Sequence, residues 1–212
     1  TQNFSLLYWS NHVKINNYIL QKGEQAMINA EKSKRLDGQL YYNQDPLLLE
    51  EHLNVQMLLH QYNHLSPDKR KKRRKLLKQI LDHPPKDACI EQPFHCDFGY
   101  NIRIGSHFYS NYNLTILDCN TVTIGHHCLI GPNVSIITVN HPQDRKLRSR
   151  SLEYAKPVSI GNDVWIGCGA IINPGVSIGD NVIIGSGSIV TKDIPSNSLA
   201  VGNPARVIRS IE

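Results

Sequence analysis

The chain lacks the features that would place it in a membrane or among disulfide-rich proteins. No segment of its 212 residues approaches the roughly 18 consecutive apolar residues that a membrane-spanning helix needs. Its five cysteines are an odd number without C-x-x-C spacing, which argues against a disulfide framework or a zinc knuckle and favours a reducing, cytoplasmic compartment. The formal net charge is only +5, so an anionic ligand is mildly favoured and nucleic acid is not required.

What the chain has instead is an aliphatic residue at every sixth position, and glycine follows four of these residues. The run comprises Ile160, Ile166, Ile172, Ile178, Ile184 and Val190. A period of six fits neither an α-helix nor a half-buried strand. It predicts a parallel β-helix in which each short, flat side of a coil points one aliphatic residue inward. We expect the glycines to mark corners, at dihedral angles that a Cβ disfavours.

The same phase occurs upstream at Ile124, Ile130 and Ile136. Residues 138–157 interrupt it with polar and basic side chains, but the spacing from Ile136 to Ile160 is still a multiple of six. This predicts a loop that leaves the coil and lets winding resume in register. Loops that leave a rigid scaffold often carry function.

Helical signals replace the repeat in the N-terminal part. Asp45 before Pro46 predicts an N-cap followed by the first position of a helix. Ser66-Pro67 predicts the start of a second helix, which Pro84-Pro85 ends. On the first helix we expect a broad stripe to pack on the coils: Leu49, Leu53, Met57 and His60 sample it, and Leu48, Val55, Leu58, Leu59 and Tyr62 widen it.

These signals divide the chain into three parts. Residues 1–26 match no repeat, and Met27 opens a segment that reads like a natural beginning, so we expect residues 1–26 to be upstream or otherwise non-native sequence. Residues 27–85 are predicted to form a helical cap. Residues 86–212 are predicted to form the β-helix domain, with the loop at 138–157.

Residues 69–75 are all basic and read K-R-K-K-R-R-K. One interpretation is a solvated helix face, which the flanking Leu65 and Leu76 favour. The other is a patch that binds a polyanion. The second interpretation makes a non-catalytic scaffold one alternative function for the chain.

Several segments together resemble the maltose and galactoside O-acetyltransferases of the hexapeptide-repeat acyltransferases. They include G-Q-L-Y-Y-N-Q-D-P-L-L, T-V-N-H-P, L-E-Y-A-K-P-V, D-V-W-I-G, G-S-I-V-T-K-D-I-P and A-V-G-N-P-A-R-V-I-R. The likeness runs from about residue 27 to the end. It implies a mainly β fold, a left-handed parallel β-helix with an N-terminal α-helical cap. It also implies a homotrimer with active sites between subunits and acetyl transfer from acetyl-CoA to a sugar hydroxyl.

A sugar hydroxyl is a poor nucleophile near neutral pH and needs a positioned base, a role that suits histidine. His141 lies at the root of the loop, and its N-H-P segment matches the family's catalytic histidine. The resemblance therefore implies that His141 is the general base. Glu153, in the same loop, is expected to orient or charge the imidazole.

By position in the family pattern, the acceptor contacts fall on Asn111, Asp97, Asp45 and Tyr109. Cys119 stands where the galactoside enzymes carry an acidic sugar ligand. The order L-D-C, with Asp118 one place earlier, looks like the maltose branch. A maltose- or glucose-type acceptor is therefore favoured over a galactoside.

The donor positions that the resemblance implies include cations suited to the phosphates of CoA and a tryptophan on the path of the ligand. They are Cys168, Ser186, Thr191, Lys192, Arg206, Arg209 and Trp165. No metal is expected. A zinc enzyme on the same coil is a second alternative, but it would need His126, His127 and His141 to converge, and adjacent residues should point to opposite faces.

Overall fold

The structure is a computed structural model that describes residues 30–212, so the predicted extension over residues 1–26 and Met27 itself lie outside the described residues. The helices are α1 (Ala30–Leu36), α2 (Pro46–Asn63), α3 (Arg70–Ile80) and α4 (Arg145–Arg148), and strand β1 (Tyr41–Tyr42) lies between α1 and α2. Between residues 30 and 212, no helix is both long and apolar enough to cross a membrane.

Helix α2 begins where the sequence predicted, but α3 does not. The Asp45 carboxylate accepts hydrogen bonds from the amides of Leu47 and Leu48, and Pro46 takes the first helical position. The predicted start at Ser66-Pro67 is wrong, because α3 begins at Arg70 and its N-cap residue makes no side-chain cap hydrogen bond. Ser66 instead donates to the carboxylate of Asp68 in the turn before the helix.

The broad stripe predicted on α2 is only partly confirmed, because Leu49, Leu53 and Met57 do not pack on the coils. These side chains are 45%, 58% and 58% exposed. The buried stripe of α2 comprises four of the residues expected to widen it: Leu48, Val55, Leu59 and Tyr62. Because both stripes are apolar, hydrophobicity alone could not choose between them, and α2 keeps an apolar stripe towards solvent.

The rest of the chain winds into a three-sided parallel β-helix, so the predicted mainly β fold is confirmed. The first face contains β2 (Cys89–Ile90), β5 (Tyr109–Ser110), β8 (Leu129–Ile130), β13 (Trp165–Ile166), β16 (Val182–Ile184), β18 (Ser198–Gly202) and the antiparallel β19 (Ala205–Ser210). The second face contains β3 (Phe94–Cys96), β6 (Leu114–Leu117), β9 (Ser135–Ile137), β14 (Ile171–Ile172) and β17 (Ile189–Val190). The third face contains β4 (Ile102–Ile104), β7 (Val122–Ile124), β12 (Val158–Ile160) and β15 (Ser177–Ile178).

The sixfold repeat forms the core as predicted. Ile160 pairs in register with Ile124 of the coil before and with Ile178 of the coil after. All three side chains are buried, and Ile166 and Ile184 on the first face are fully buried. Each buried isoleucine stabilises the fold by about 1.5–3 kcal/mol. The stacked columns therefore make the scaffold rigid enough to hold side chains at its edges.

The glycines of the repeat are needed for close stacking rather than for unusual dihedral angles, which corrects the sequence-based reason. Gly125 and Gly161 are not among the residues with positive φ. A Cβ on Gly125 would lie 2.6 Å from the carbonyl oxygen of Gly161, and a Cβ on Gly161 would lie 2.7 Å from the carbonyl carbon of Gly179. Backbone of the next coil therefore occupies the space that a side chain would need.

Residues 138–157 leave the coil between the second and third faces, and winding resumes in register where Val158 pairs with Val122. The segment contains an antiparallel pair, β10 (Val139–Asn140) and β11 (Leu152–Ala155). Strand β1 from the N-terminal part adds to β11 and completes a three-stranded sheet. This sheet ties the helical part to the loop.

Candidate active site

A cavity of about 280 Å³ lies where the three-stranded sheet meets α2 and the coils, and it is called the polar cavity below. Seven polar side chains converge on it: Tyr41, Asn43, Gln44, His52, Asp97, Cys119 and Glu153. Apolar side chains such as Leu49 and Phe98 complete the wall. Hydrogen-bonding groups beside apolar surface are typical of a small-molecule site.

Glu153 is the most firmly held polar group of this cavity. The β1–β11 register places it directly opposite Tyr41, whose hydroxyl donates a 2.7 Å hydrogen bond to Oε2. The Asn43 amide donates a 2.6 Å hydrogen bond to Oε1. Burial raises the pKa of Tyr41 well above its usual range, so the phenol stays a donor. Two donors therefore fix the orientation of this carboxylate, whose side chain is only 13% exposed.

His141 follows β10 and lies beside that carboxylate. Its Nδ1 is 3.9 Å from Oε1 of Glu153, and its side chain is 60% exposed. At this distance the two groups form an ion pair when the imidazole is protonated. A carboxylate on the Nδ1 side favours the tautomer that leaves Nε2 free to accept a proton. The structure therefore brings together the predicted base and its predicted partner.

Asp97 and Cys119 form a second polar pair in the cavity. The Cys119 thiol lies 3.4 Å from Oδ2 of Asp97 and donates to it. Burial raises the pKa of Asp97, and this hydrogen bond opposes the shift. Burial, followed by the negative charge of Asp97, raises the pKa of Cys119 well above its usual range. The thiol therefore stays protonated and available as a donor.

Asp118, one place before Cys119, does not line the polar cavity. It is fully buried, and its Oδ1 accepts 2.9 Å hydrogen bonds from the amides of Asp97 and Phe98. Burial raises the pKa of Asp118 to about 6. This carboxylate positions the backbone of Asp97 and has no route to a ligand in the cavity.

Several residues in or beside the site were not predicted from the sequence, among them Tyr41, Asn43 and His52 of the polar cavity and Arg35 behind it. Asn43 lines the polar cavity, whereas the predicted Asp45 caps α2 and is not among the lining residues. Arg35 is fully buried with its guanidinium 3.8 Å from the centroid of the Phe98 ring, and its charge opposes the rise that burial causes in the pKa of Asp97. Asn43 could have been found, because it lies with Asp45 in the segment G-Q-L-Y-Y-N-Q-D-P-L-L that carries the resemblance. A buried arginine has no comparable sequence signal.

The other predicted residues are distributed along two edges of the coil. The first edge is the turn from the first face to the second, and the second edge is the turn from the second face to the third. Asn111, Cys168 and Ser186 stack along the first edge, where the amide of Gly187 donates to the carbonyl oxygen of Cys168 at 2.8 Å. Tyr109 and Trp165 lie beside them on the first face, each in register with Leu129.

The second edge carries the polar cavity, His141 and, further along, Thr191 and Lys192 after β17. Asn111 and His141 therefore lie on opposite edges of the second face. The six or so residues that cross the face span roughly 20 Å when extended. One chain consequently divides the predicted residues between two edges, and these two groups of residues are called the two half-sites below.

The predicted donor arginines lie at the end of the first face. Strand β19 pairs with β18 so that Arg206 lies opposite Val201 and Arg209 lies opposite Leu199. Both arginines are exposed, as is Trp165 on the same face. This places cations at one end of a strip of exposed apolar side chains.

The histidines that the zinc alternative requires lie apart. His126 and His127 are at the turn from the third face to the first, and the His127 ring pairs with Asp163 at 3.3 Å. His141 is at the second edge. Within residues 30–212, no group of three or more His, Cys, Asp or Glu residues is placed to hold a metal ion. The zinc alternative therefore gains no support from the geometry.

Two family descriptions match the chain. Residues 34–85 match the maltose acetyltransferase hexapeptide capping motif. Residues 157–192 match the bacterial transferase hexapeptide in six repeats. The first match covers most of the helices that precede the coil, and the second covers coils after the loop.

The chain is also similar to named proteins over most of their length. It is 47% identical over 174 residues to the galactoside O-acetyltransferase of Escherichia coli, which covers 82% of this chain and 86% of the relative. The crystal structure of a maltose O-acetyltransferase from Clostridium difficile 630 matches with a TM-score of 0.85 and 47% identity, covering 87% of this chain and 98% of that one. A galactoside acetyltransferase in complex with coenzyme A matches with a TM-score of 0.84 and 44% identity, covering 87% and 92%.

Proposed function

The chain belongs to the maltose and galactoside O-acetyltransferase family, as the resemblance predicted, and we propose that it acetylates a sugar hydroxyl with His141 as the general base. As a member of that family it is an acetyl-CoA-dependent acetyltransferase. The observation that carries the finer proposal is the 3.9 Å pair of His141 and Glu153 beside the polar cavity. A base with an oriented partner, next to groups that hydrogen-bond hydroxyls, suits O-acylation of a polyol.

In this mechanism the acceptor hydroxyl gives its proton to Nε2 of His141 as its oxygen attacks the thioester carbonyl carbon. The tetrahedral intermediate then collapses, the carbon–sulfur bond breaks and the sulfur of CoA receives the proton. Glu153 holds the imidazole on its Nδ1 side and stabilises the imidazolium that forms. Tyr41 and Asn43 keep Glu153 in place through their hydrogen bonds.

We propose that the polar cavity binds the acceptor. The Asp97 carboxylate, the Asn43 amide and the Cys119 thiol can each hydrogen-bond a sugar hydroxyl, while Leu49 and Phe98 offer apolar surface to the ring. Cys119 supplies a neutral donor in place of an acidic group. This difference supports a maltose- or glucose-type acceptor over a galactoside.

We propose that the donor lies along the first face and the first edge. Leu129 and Trp165 are 51% and 53% exposed and form an apolar strip that suits the pantetheine arm, and Tyr109, which is 37% exposed and predicted to contact the acceptor, lies at the end of this strip. Arg206 and Arg209 beyond the strip suit the phosphates through charge-assisted hydrogen bonds. The predicted contacts at Cys168, Ser186, Thr191 and Lys192 remain part of this proposal.

We propose a cyclic homotrimer in which the second edge of one chain meets the first edge of the next. This arrangement would join the two half-sites, and closed symmetry is usual for homo-oligomers. The outward side chains of the second face support it because, beyond His95, they are uncharged: Thr115, Ser135, Ile171 and Ile189. The exposed apolar stripe of α2 gives a second surface that a neighbouring chain could cover. We also propose a cytoplasmic location, on the number and spacing of the cysteines.

An acceptor screen that measures free CoA thiol tests the function. The protein is incubated with acetyl-CoA and, in turn, glucose, maltose, a galactoside and a sugar alcohol. We expect acceptor-dependent thiol release that is faster with glucose or maltose than with the galactoside. Thiol release that no sugar accelerates would contradict the proposed function, and a clear preference for the galactoside would contradict the proposed acceptor class.

A further inference from the structure

A second cavity lies outside the site described above, between α3 and the first strand of the first face. Its volume is about 400 Å³, and it is called the arginine cavity below. Three arginines line it, Arg70, Arg73 and Arg74. Apolar groups such as Leu77 and Ile90 form the rest of the wall, and this volume suits a small molecule rather than a bare ion.

The arginines and the lysines of the basic run at residues 69–75 lie on different sides of α3. Arg70, Arg73, Arg74 and Leu77 follow the i, i+3, i+4, i+7 spacing of a single helix face, and that face lines the cavity. Lys71, Lys72 and Lys75 are exposed and do not line it. A helix face that points toward the coil is normally apolar. Arg73 is half-buried there, and the exposed Arg70 and Arg74 reach the cavity from its rim. This face therefore presents planar, multidentate guanidinium groups to the cavity, which the lysines of the run do not line.

The positive charge of this cavity is only partly neutralised. Arg73, 13% exposed in its side chain, lies 3.3 Å from the carboxylate of Glu91 and donates to Gln92. Within the described part of the chain, Arg70 and Arg74 have no ion-pair or hydrogen-bond partner. Three guanidinium groups and one carboxylate leave a charge of about +2, which matches a phosphate dianion.

The surroundings add to this positive field. Helix α3 has no acidic residue in its first turn and no side-chain N-cap, so its cations stand at the positive end of the helix dipole. The charges of Arg73 and Arg70 also reach the Cys89 thiol in the cavity wall, where they oppose the rise in pKa that burial causes. A bound anion would relieve this accumulation of like charge.

We propose that the arginine cavity binds the phosphate group of a small phosphorylated organic molecule, with Arg70 and Arg74 as its principal ligands. Glu91, in the wall of the cavity, lies one coil away from Asn111 on the first edge. The amide of Glu91 donates a hydrogen bond to the carbonyl oxygen of Ser110, the residue before Asn111. The phosphate therefore belongs either to an extended acceptor or to a separate ligand. Only this last distinction depends on the proposed function.

Two double variants on the same helix test the site. Arg70→Gln/Arg74→Gln and the matched control Lys71→Gln/Lys75→Gln remove equal charge at equal spacing, and glutamine is a good helix former. Inorganic phosphate is titrated into each protein by calorimetry at constant ionic strength. Any phosphate that binds to the predicted donor cations is the same background in all the proteins, because none of the variants changes those residues. We expect wild type to bind phosphate with a Kd of about 1 mM. The arginine double variant should weaken binding by about ten-fold, and the lysine double variant by less than about two-fold.

Equal losses in the two double variants would show a diffuse basic surface suited to a polyanion, and would overturn the proposal. The proposal would also be overturned if both double variants bound phosphate as tightly as wild type. The Arg70→Lys/Arg74→Lys variant keeps the positive charge but loses the paired N–H donors of the guanidinium groups. We expect it to bind phosphate several-fold more weakly than wild type. Because the calorimetry needs no activity, its failure is separate from a failure of the acetyltransferase assay.

The source of the phosphate is read from kinetics with an active sugar. If the phosphate belongs to the acceptor, added inorganic phosphate raises the KM for a sugar that reaches the cavity, and the arginine double variant removes this inhibition. If it belongs to a separate ligand, the KM for the sugar is unchanged at phosphate concentrations that saturate the cavity.

Discussion

Oε1 of Glu153 lies 3.9 Å from Nδ1 of His141, although the two residues are near opposite ends of the loop sequence. The antiparallel pairing of β10 with β11 brings them together, since Asn140, the residue before His141, is in register with Tyr154, the residue after Glu153. Strand β1 then holds the carboxylate from the other side through Tyr41. The proposed base is therefore oriented by a small sheet that links the loop to the N-terminal helices.

His141→Ala removes the proposed base. We expect kcat to fall by about 10²–10⁴ while the affinity for acetyl-CoA changes little, because only the proton transfer loses its acceptor. Steady-state kinetics with the best sugar, together with calorimetry of CoA binding, measure both quantities. A variant that keeps more than about a third of wild-type kcat would show that His141 is not the base.

Glu153→Gln keeps the size of the side chain but removes its charge. We expect kcat to fall by about 10- to 100-fold, as for the loss of a hydrogen-bonded charge beside a cation that forms during the reaction. Tyr41→Phe is the matched control, because it removes one hydrogen bond to the carboxylate and leaves the charge. Its effect on kcat should be smaller; a Glu153→Gln enzyme with unchanged kcat would reduce this carboxylate to a structural role.

Lys192→Ala and Arg209→Ala test the donor end of the site. An exposed contact to a phosphate contributes equally to the ground state and the transition state, so its loss should raise the KM for acetyl-CoA more than it lowers kcat. The defect should shrink at saturating acetyl-CoA, and also at high salt, which screens the wild-type contact. Asn111→Ala is the contrast, because it should stay impaired at any acetyl-CoA concentration. If both variants kept the wild-type KM for acetyl-CoA, the proposed position of the donor site would be wrong.

Asp118 predicts a specific dependence of stability on pH. Its folded-state pKa of about 6 exceeds the value of about 3.9 in an unfolded chain, so the folded protein binds more protons between these values. The free energy of unfolding should therefore fall by about 2 kcal/mol as pH rises from about 4 to about 6, and by about 3 kcal/mol in all before the contribution becomes constant above about pH 7. Denaturant unfolding of wild type and Asp118→Asn over this range gives the difference. Parallel pH profiles for the two proteins would refute the assignment.

The coils were predictable from the sequence because one local rule repeats. Each inward residue, such as Ile166 or Ile184, occupies the same position in its coil, so the period alone places it in the core. The reason for the glycines was not predictable, because Gly125 lacks a side chain on account of Gly161, a residue of the following coil. That contact depends on the distance between coils and not on the local conformation.

The site was predictable in its members but not in its arrangement. The resemblance selects His141, Glu153 and Asp97, which the structure brings to one cavity or beside it. It also selects Asn111, which the winding of the coil places on the other edge. Position in the sequence does not show which edge of a three-sided coil a residue occupies until the strands are assigned to faces. Asp45 illustrates a second difficulty, because the same carboxylate signals a helix cap and a ligand contact.

Mixing two impaired variants tests the central claim, that the first edge of one chain completes the second edge of its neighbour. His141→Ala leaves the first edge intact and Asn111→Ala leaves the second edge intact. The two proteins are unfolded, mixed in equal amounts and refolded together, with each refolded alone as the control. In a cyclic trimer with random assembly, about a quarter of the sites receive both wild-type residues, so activity should recover to about a quarter of wild type. Activity in the mixture no greater than the mean of the two separate variants would contradict the shared site.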